Sequence, residues 1–354
     1  MSDAAPRLIR HLIGHQAAWA EASEAWESGR FAHAWLITGP RGIGKASFAY
    51  LLAKAILTTP PDGEGGLFGP AATPPLSRQL DEAHPALRRI ESGAHADMLT
   101  VEIGWADDKM TKRRTEIVVD DVRAVGAFLS MTPAEGGWRV VVIDAVDEMN
   151  RNAANALLKS LEEPPKRTVL LLVCHNPGRL LPTIRSRCRR LGLAPLDDAE
   201  MDAGLAHLLP EETPERRIDL ARMSAGSLGG ALALARAGGD AMAVEIATLL
   251  QGWPRLDFAA IYGFAAKVAA DEEKFRLFAA LLGDWIGATL RRGAGVAAVG
   301  GAEGAALAVP LDQWAEVWEK VNDLFRKAEA VNLDRRHVVL SAFHALISPA
   351  ALLP

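Results

Sequence analysis

Gly39, Gly42, Gly44 and Lys45 stand in the run GPRGIGKAS at 39–47, and their types and spacing suit one chemistry, the holding of phosphate oxygens. Glycines let backbone N–H groups converge on an anion, and Lys45 opens a helix whose N-terminal partial charge adds to the attraction. The pattern G-x-x-x-x-G-K-[ST] is met at Gly39, Gly44 and Lys45 but carries Ala46 where Ser or Thr belongs. Ala46 has no hydroxyl to offer Mg²⁺, and Ser47 comes one residue late, about 100° further round the helix. A second candidate is Asp144, a carboxylate that ends a β-branched run. A third is Arg187, set in the polar turn TIRSRCRR at 183–190. A planar, permanently charged guanidinium suits a phosphoryl oxygen in a way that lysine does not.

These groups need particular elements to position them. HAWLIT at 33–38 reads as a short apolar strand that delivers Gly39. Val140 to Ile143 is unalternated, the pattern of a strand buried on both faces, and it stops at Asp144. In open parallel sheets ligands bind at that edge, where an acid reaches Mg²⁺ or its water shell. Ala153, Ala156, Leu157, Ser160 and Leu161 repeat at helical spacing until Pro164 and Pro165 end the helix. Thr168 to Val173 is another buried strand, leading through Asn176 and Pro177 to the arginine-bearing turn. Met98 to Ile103 reads as a strand and Asp120 to Met131 as a helix begun by an Asp cap. The sum is an α/β fold with a parallel sheet.

AANALLKSLEEPP at 153–165 followed by LLPTIRSRC at 180–188 resembles the clamp-loader branch of the AAA+ family. Within that branch the chain is most similar to the delta prime family of bacterial DNA polymerase III clamp loaders, subunits that sit beside the motors without being motors. The resemblance covers essentially the whole chain. It implies a P-loop AAA+ domain with a degenerate loop over 1–194, a three-helix lid over 195–252 and an all-α collar over 253–354. It also implies work beside gamma/tau motor subunits and a delta subunit, in a complex that places a ring-shaped sliding clamp on primer-template DNA. Arg187 would act in trans as an arginine finger on a neighbour's ATP. An active motor of the family has Asp-Glu at the strand end, whereas this chain has Asp144 and then Ala145. Gly39, Gly42, Gly44, Lys45 and Asp144 are therefore expected to retain at most weak ATP or ADP binding, and the chain alone to lack ATPase and polymerase activity. Asp147 and Glu148 read as solvated acids near a helix start. Motors also carry a lid-helix arginine, and the matching run from Gly226 to Gly230 has none. IGHQ at 13–16 resembles the motif that begins AAA+ modules near the adenine pocket. Relatives often hold zinc through four cysteines within the stretch matching 58–96, where this chain has no cysteine. No zinc and no required cofactor are expected, and His84 and His95 read as exposed.

Three rivals are weighed against this reading. A motor subunit of the same complex predicts Ser or Thr at 46 and Glu at 145. An unrelated P-loop kinase has no reason to keep Ser186, Arg187 and Cys188 together. A pure scaffold denies Arg187 a catalytic part.

Composition narrows the rest. At 354 residues the chain suits two or three domains, and a net charge of −5 argues against a global nucleic-acid-binding field. Two cysteines, Cys174 and Cys188, with no C-x-x-C spacing point to a reducing compartment. Neither a signal-peptide core nor a membrane-length apolar run is seen, so a soluble cytoplasmic protein without membrane contact is expected. Residues 58–96 read as a surface insertion, and Lys112, Arg113 and Arg114 as a solvated basic loop tip. After a boundary near 192–196, helices are expected at 197–208, 214–223 and 227–237, then from Phe258 onward with a flexible stretch at 293–306. Trp314, Val317, Trp318, Val321, Leu324 and Phe325 share one helical face, a core stripe.

Overall fold

The structure, a computed structural model, describes residues 5–60, 74–106, 114–135, 137–236, 239–293, 309–331 and 333–347. Lys112, Arg113, most of the 293–306 stretch and part of the 58–96 insertion lie outside them. The chain divides into two compact units, Met1–Gly204 with Gly226–Gly229, and Leu205–Ala225 with Gly230–Pro354.

The first unit is built on five strands, β1 (Ala34–Thr38), β2 (Met98–Glu102), β3 (Arg139–Asp144), β4 (Thr168–Cys174) and β5 (Arg189–Gly192). They lie in the order β2-β3-β4-β1-β5 and every pairing is parallel. Parallel strands need crossovers, and here α1 (Gln16–Glu27), α2 (Lys45–Thr58), α3 (Pro85–Ser92), α4 (Val119–Ser130), α5 (Arg151–Glu162) and the short α6 (Pro182–Arg185) accompany the sheet. The unalternated runs have the meaning expected of them. Trp35, Ile37, Val140, Val142, Leu171 and Val173 face the apolar layer shared with α1 and α2. Leu36, Val141, Ile143, Leu170 and Leu172 face the layer shared with α4 and α5. α5 opens on Asn150, whose side chain accepts from the Ala153 N–H at 2.9 Å, and closes just before Pro164. The Asp cap expected for the helix near 120 is corrected. Val118 occupies the cap position, and the Asp121 carboxylate reaches back to accept from its N–H at 3.0 Å.

Register brings the chemistry to one edge. Asp144 stands beside Glu102 and Val173, and Thr38 beside Cys174, so the loop after β1 and the acid ending β3 flank the end of β4.

The remaining helices are α7 (Asp198–Leu208), α8 (Pro214–Met223), α9 (Leu228–Arg236), α10 (Gly239–Leu250), α11 (Phe258–Ala269), α12 (Glu272–Gly293), α13 (Leu311–Val331) and α14 (Arg335–Ile347). α10 was not expected from the sequence. The core of the second unit is aromatic: Phe264, Phe278 and Phe343 meet at ring separations of 5.5 to 6.0 Å, and Trp314 lies 5.7 Å from both Trp253 and Trp285. Trp314, Val317 and Val321 are buried as the stripe requires, but Trp318 is 44% exposed and does not belong to it. No helix among the described residues is long and apolar enough to cross a membrane.

Candidate functional site

β1 delivers the chain into a loop that only glycine can follow at two points. A Cβ on Gly39 would lie 2.6 Å from the Leu193 carbonyl oxygen, and Gly44, which precedes α2, has a φ of +99°. Lys45 is buried, and its ammonium donates to the carbonyl oxygens of Gly39 at 2.8 Å and Pro40 at 2.6 Å. Burial pushes its pKa down to about 8, against the pull of Asp144 and Asp147. The cation that would meet a phosphate is thus turned onto its own loop. His15, from the IGHQ run, is buried beside it and donates from Nε2 to the Ile43 carbonyl at 2.7 Å.

The acids differ from expectation. Asp147 is buried, and its two carboxylate oxygens accept from the backbone N–H groups of His175 and Asn176, each at 2.9 Å. It ties the 3-10 turn Val146–Glu148 to the end of β4. Glu148 pairs with Arg41 of the glycine loop at 2.6 Å. Neither is a solvated acid. Ala145 is 2% exposed, so the position where the resemblance places a water-polarising glutamate is inside the core. His84 caps α3, its Nδ1 accepting from the Ala86 N–H at 3.2 Å, and His95 is buried rather than exposed. Arg114 is paired with Asp121 at 2.9 Å.

The turn at 226–229 lies against the glycine loop. Gly229 N–H donates to the Gly42 carbonyl at 2.8 Å and the Ser227 hydroxyl to the Arg41 carbonyl at 3.2 Å. A Cβ on Gly229 would stand 2.9 Å from the Gly42 Cα and carbonyl oxygen, so this docking admits no side chain there. Sequence reasoning noticed the missing arginine in this run but not the contact.

Asp144 titrates well above an ordinary aspartate. Burial, then the charges of Glu102 and Glu148, raise its pKa from 3.8 to about 6, while Lys45 and Arg41 pull it back. The folded chain therefore keeps a proton that the unfolded chain releases between those values. The stability this contributes is fully present below the unfolded pKa and is lost as pH rises through the folded one. Asp144→Asn is accordingly expected to stabilise the protein near pH 7 by about 1–3 kcal/mol and to be close to neutral near pH 4. Thermal melts of both proteins across that range check it, and an equal effect at both ends would show that folding does not raise the Asp144 pKa.

Arg187 occupies a different place, between α6 and β5. Cys188 packs against the apolar layer of α4 and α5, and burial pushes its thiol up to about 12. Arg187 donates to the Thr183 carbonyl at 3.0 Å and pairs with Glu162 of α5 at 2.7 Å. Of its neighbours, Arg189 pairs with Glu21 and lies 4.8 Å over the Trp35 ring, and Arg190 donates to the Thr38 hydroxyl. The structure thus gathers Gly39, Gly42, Gly44, Lys45 and Asp144 at one sheet edge and leaves Arg187 apart from them, on the turn after α6.

A five-stranded parallel sheet with a glycine loop after β1, the strand next to the central β4, and an acid at the end of β3 defines a P-loop α/β module. The chain belongs to the family described as DNA polymerase III, delta subunit, whose family model matches residues 14–197, just over half its length. It is similar to the DNA polymerase III subunit delta' of Pseudomonas aeruginosa, 38% identical over 213 residues that make up 60% of this chain and 57% of that one. It is 37% identical to the delta' subunit of Bacillus subtilis over 170 residues, 48% of this chain and 44% of that one. The subunit tau of Escherichia coli K12 is 34% identical over 233 residues, 65% of this chain and 32% of that one. The similarity therefore spans about half the length of the delta' relatives, 57% of one and 44% of the other, and about a third of tau.

Proposed function

We propose that the chain is the non-motor, delta prime type subunit of a bacterial clamp loader. It assembles with gamma/tau-type ATPase subunits and a delta subunit, and the complex places the sliding clamp on primer-template DNA in the cytoplasm. Its own nucleotide site fires no ATP and holds nucleotide weakly at best, no zinc is required, and Arg187 is donated to the ATP of a neighbouring subunit. One observation carries this reading. Arg187 is partly exposed on the turn between α6 and β5, while in the chain's own site Ala46 follows Lys45, Ala145 is buried and Lys45 is spent on the carbonyls of its own loop.

The similarity to tau favours a motor as the second reading, and Ala46 and Ala145 weigh against it. The test is to mix the purified full chain with the ATPase and delta subunits of its own complex and follow size exclusion. Co-elution in one complex, with the chain needed for clamp- and DNA-stimulated ATP turnover, is expected. Elution apart from both partners overturns the proposal.

A further inference from the structure

Arg187 is held by a residue that α5 gives no reason to keep. Glu162 is the last residue of that helix, the end at which the helix dipole disfavours an acid. Its compensation comes from outside the helix, from the Arg187 guanidinium at 2.7 Å. The second arm of the same guanidinium donates to the Thr183 carbonyl at 3.0 Å, with the Ser186 hydroxyl 3.5 Å away. Two of the three guanidinium nitrogens are thus fixed, one by a carboxylate on α5 and one by the turn that carries Arg187. A planar fork fixed at two nitrogens has its orientation set as well as its position. Both partners stay accessible, with side-chain exposures of 35% and 48%, so the fork is oriented at a surface rather than enclosed. An exposed ion pair is weak, and phosphoryl oxygens arriving from a neighbouring subunit can draw donors from it.

We propose that Glu162 is a positioning residue for Arg187, holding its guanidinium oriented at the edge of the first unit so that it meets the triphosphate of a neighbouring ATPase subunit without a search. The inference rests on the reading that Arg187 acts in trans. A long side chain otherwise samples many rotamers, and misplacement by about 1 Å can cost a reaction about 10²-fold. Glu162 touches no nucleotide in this role. It acts through Arg187 alone.

The experiment uses the full chain, assembled with wild-type partners, and measures clamp- and DNA-stimulated ATP turnover. Arg187→Ala defines the part of the turnover that depends on the finger. Glu162→Ala is expected to lower the kcat of that part about tenfold while the ATP concentration for half-maximal rate stays unchanged. Glu162→Gln, whose carbonyl oxygen can still accept from the guanidinium, should recover most of it. Glu162→Ala/Arg187→Ala should lose no more than Arg187→Ala alone, since the two residues act as one unit. An additive loss means that Glu162 matters to the fold or to assembly instead, and overturns the inference. Unchanged or raised turnover in Glu162→Ala, with Arg187→Ala still impaired, also overturns it and leaves the finger reading standing. If Arg187→Ala itself changes nothing, both fall.

Discussion

Alanine at Arg187, in a chain assembled with wild-type partners, is expected to leave complex formation intact and to cut clamp- and DNA-stimulated ATP turnover together with clamp loading. The argument begins with what the residue does not do for its own fold. Cys188 packs against the apolar layer, whereas the Arg187 side chain reaches a surface carboxylate, a turn carbonyl and the neighbouring Ser186 hydroxyl. Exposed pairs of this kind contribute about 0–1 kcal/mol, so the variant should melt close to the wild type. Any large loss must then come from a contact made in the assembly. Arginine fingers are worth about 10³ to 10⁵ in rate at the site they serve. In a complex with several ATP sites only the share fired at this chain's interface disappears, so turnover falls to a residual level set by the other sites. Arg187→Lys should fare little better than alanine, because a point charge cannot span two phosphoryl oxygens as the fork does. Steady-state turnover and a clamp-loading assay on the purified complex decide it, and unchanged values in both would make Arg187 a surface residue of a scaffold.

What the sequence could show of this arrangement follows from which interactions are local. The β-branched run before Asp144, the glycine loop before Lys45 and the proline stop after α5 are readable because strand burial, positive φ and helix termination are written in neighbouring residues. The fates of Asp147 and Glu148 are not. Whether an acid near a strand end is solvated depends on what other segment arrives there. Here the end of β4 offers two N–H groups to Asp147, and the glycine loop offers Arg41 to Glu148. The same holds for His95, buried against the expectation of an exposed histidine, and for Gly229, whose lack of a side chain matters only because Gly42 lies against it. Trp318 shows the complementary limit. Helical spacing identifies a face, but the width of that face is set by the helices packed on it, and Trp318 falls beyond its edge. Glu162 reads in the sequence only as one of two acids before a proline pair. Its meaning appears once the turn after β4 brings Arg187 beside it.

Restoring the two groups that a motor has and this chain lacks, through Ala46→Thr with Ala145→Glu, is expected to destabilise the protein without giving it an ATPase. Threonine at 46 is the milder change, since that position is only partly buried. Position 145 is different. It is 2% exposed and follows Asp144, whose pKa burial and the nearby Glu102 and Glu148 already hold at about 6. A glutamate placed there must bury a second carboxylate in a neighbourhood that rejects the first, or force the turn to Glu148 out of place. Burying an unpaired charge and overpacking a filled core each cost on the order of 1–5 kcal/mol, so a loss of about 3 kcal/mol and a lower melting temperature are expected. The catalytic geometry is not recovered either. Lys45 still donates to Gly39 and Pro40, and the Gly42 carbonyl is still taken by Gly229. Phosphate release by the isolated double variant should therefore remain at background, as it should for the wild-type chain. Turnover above background that disappears on adding Lys45→Ala would show instead that the loop opens to ATP and that only two side chains separate this subunit from a motor.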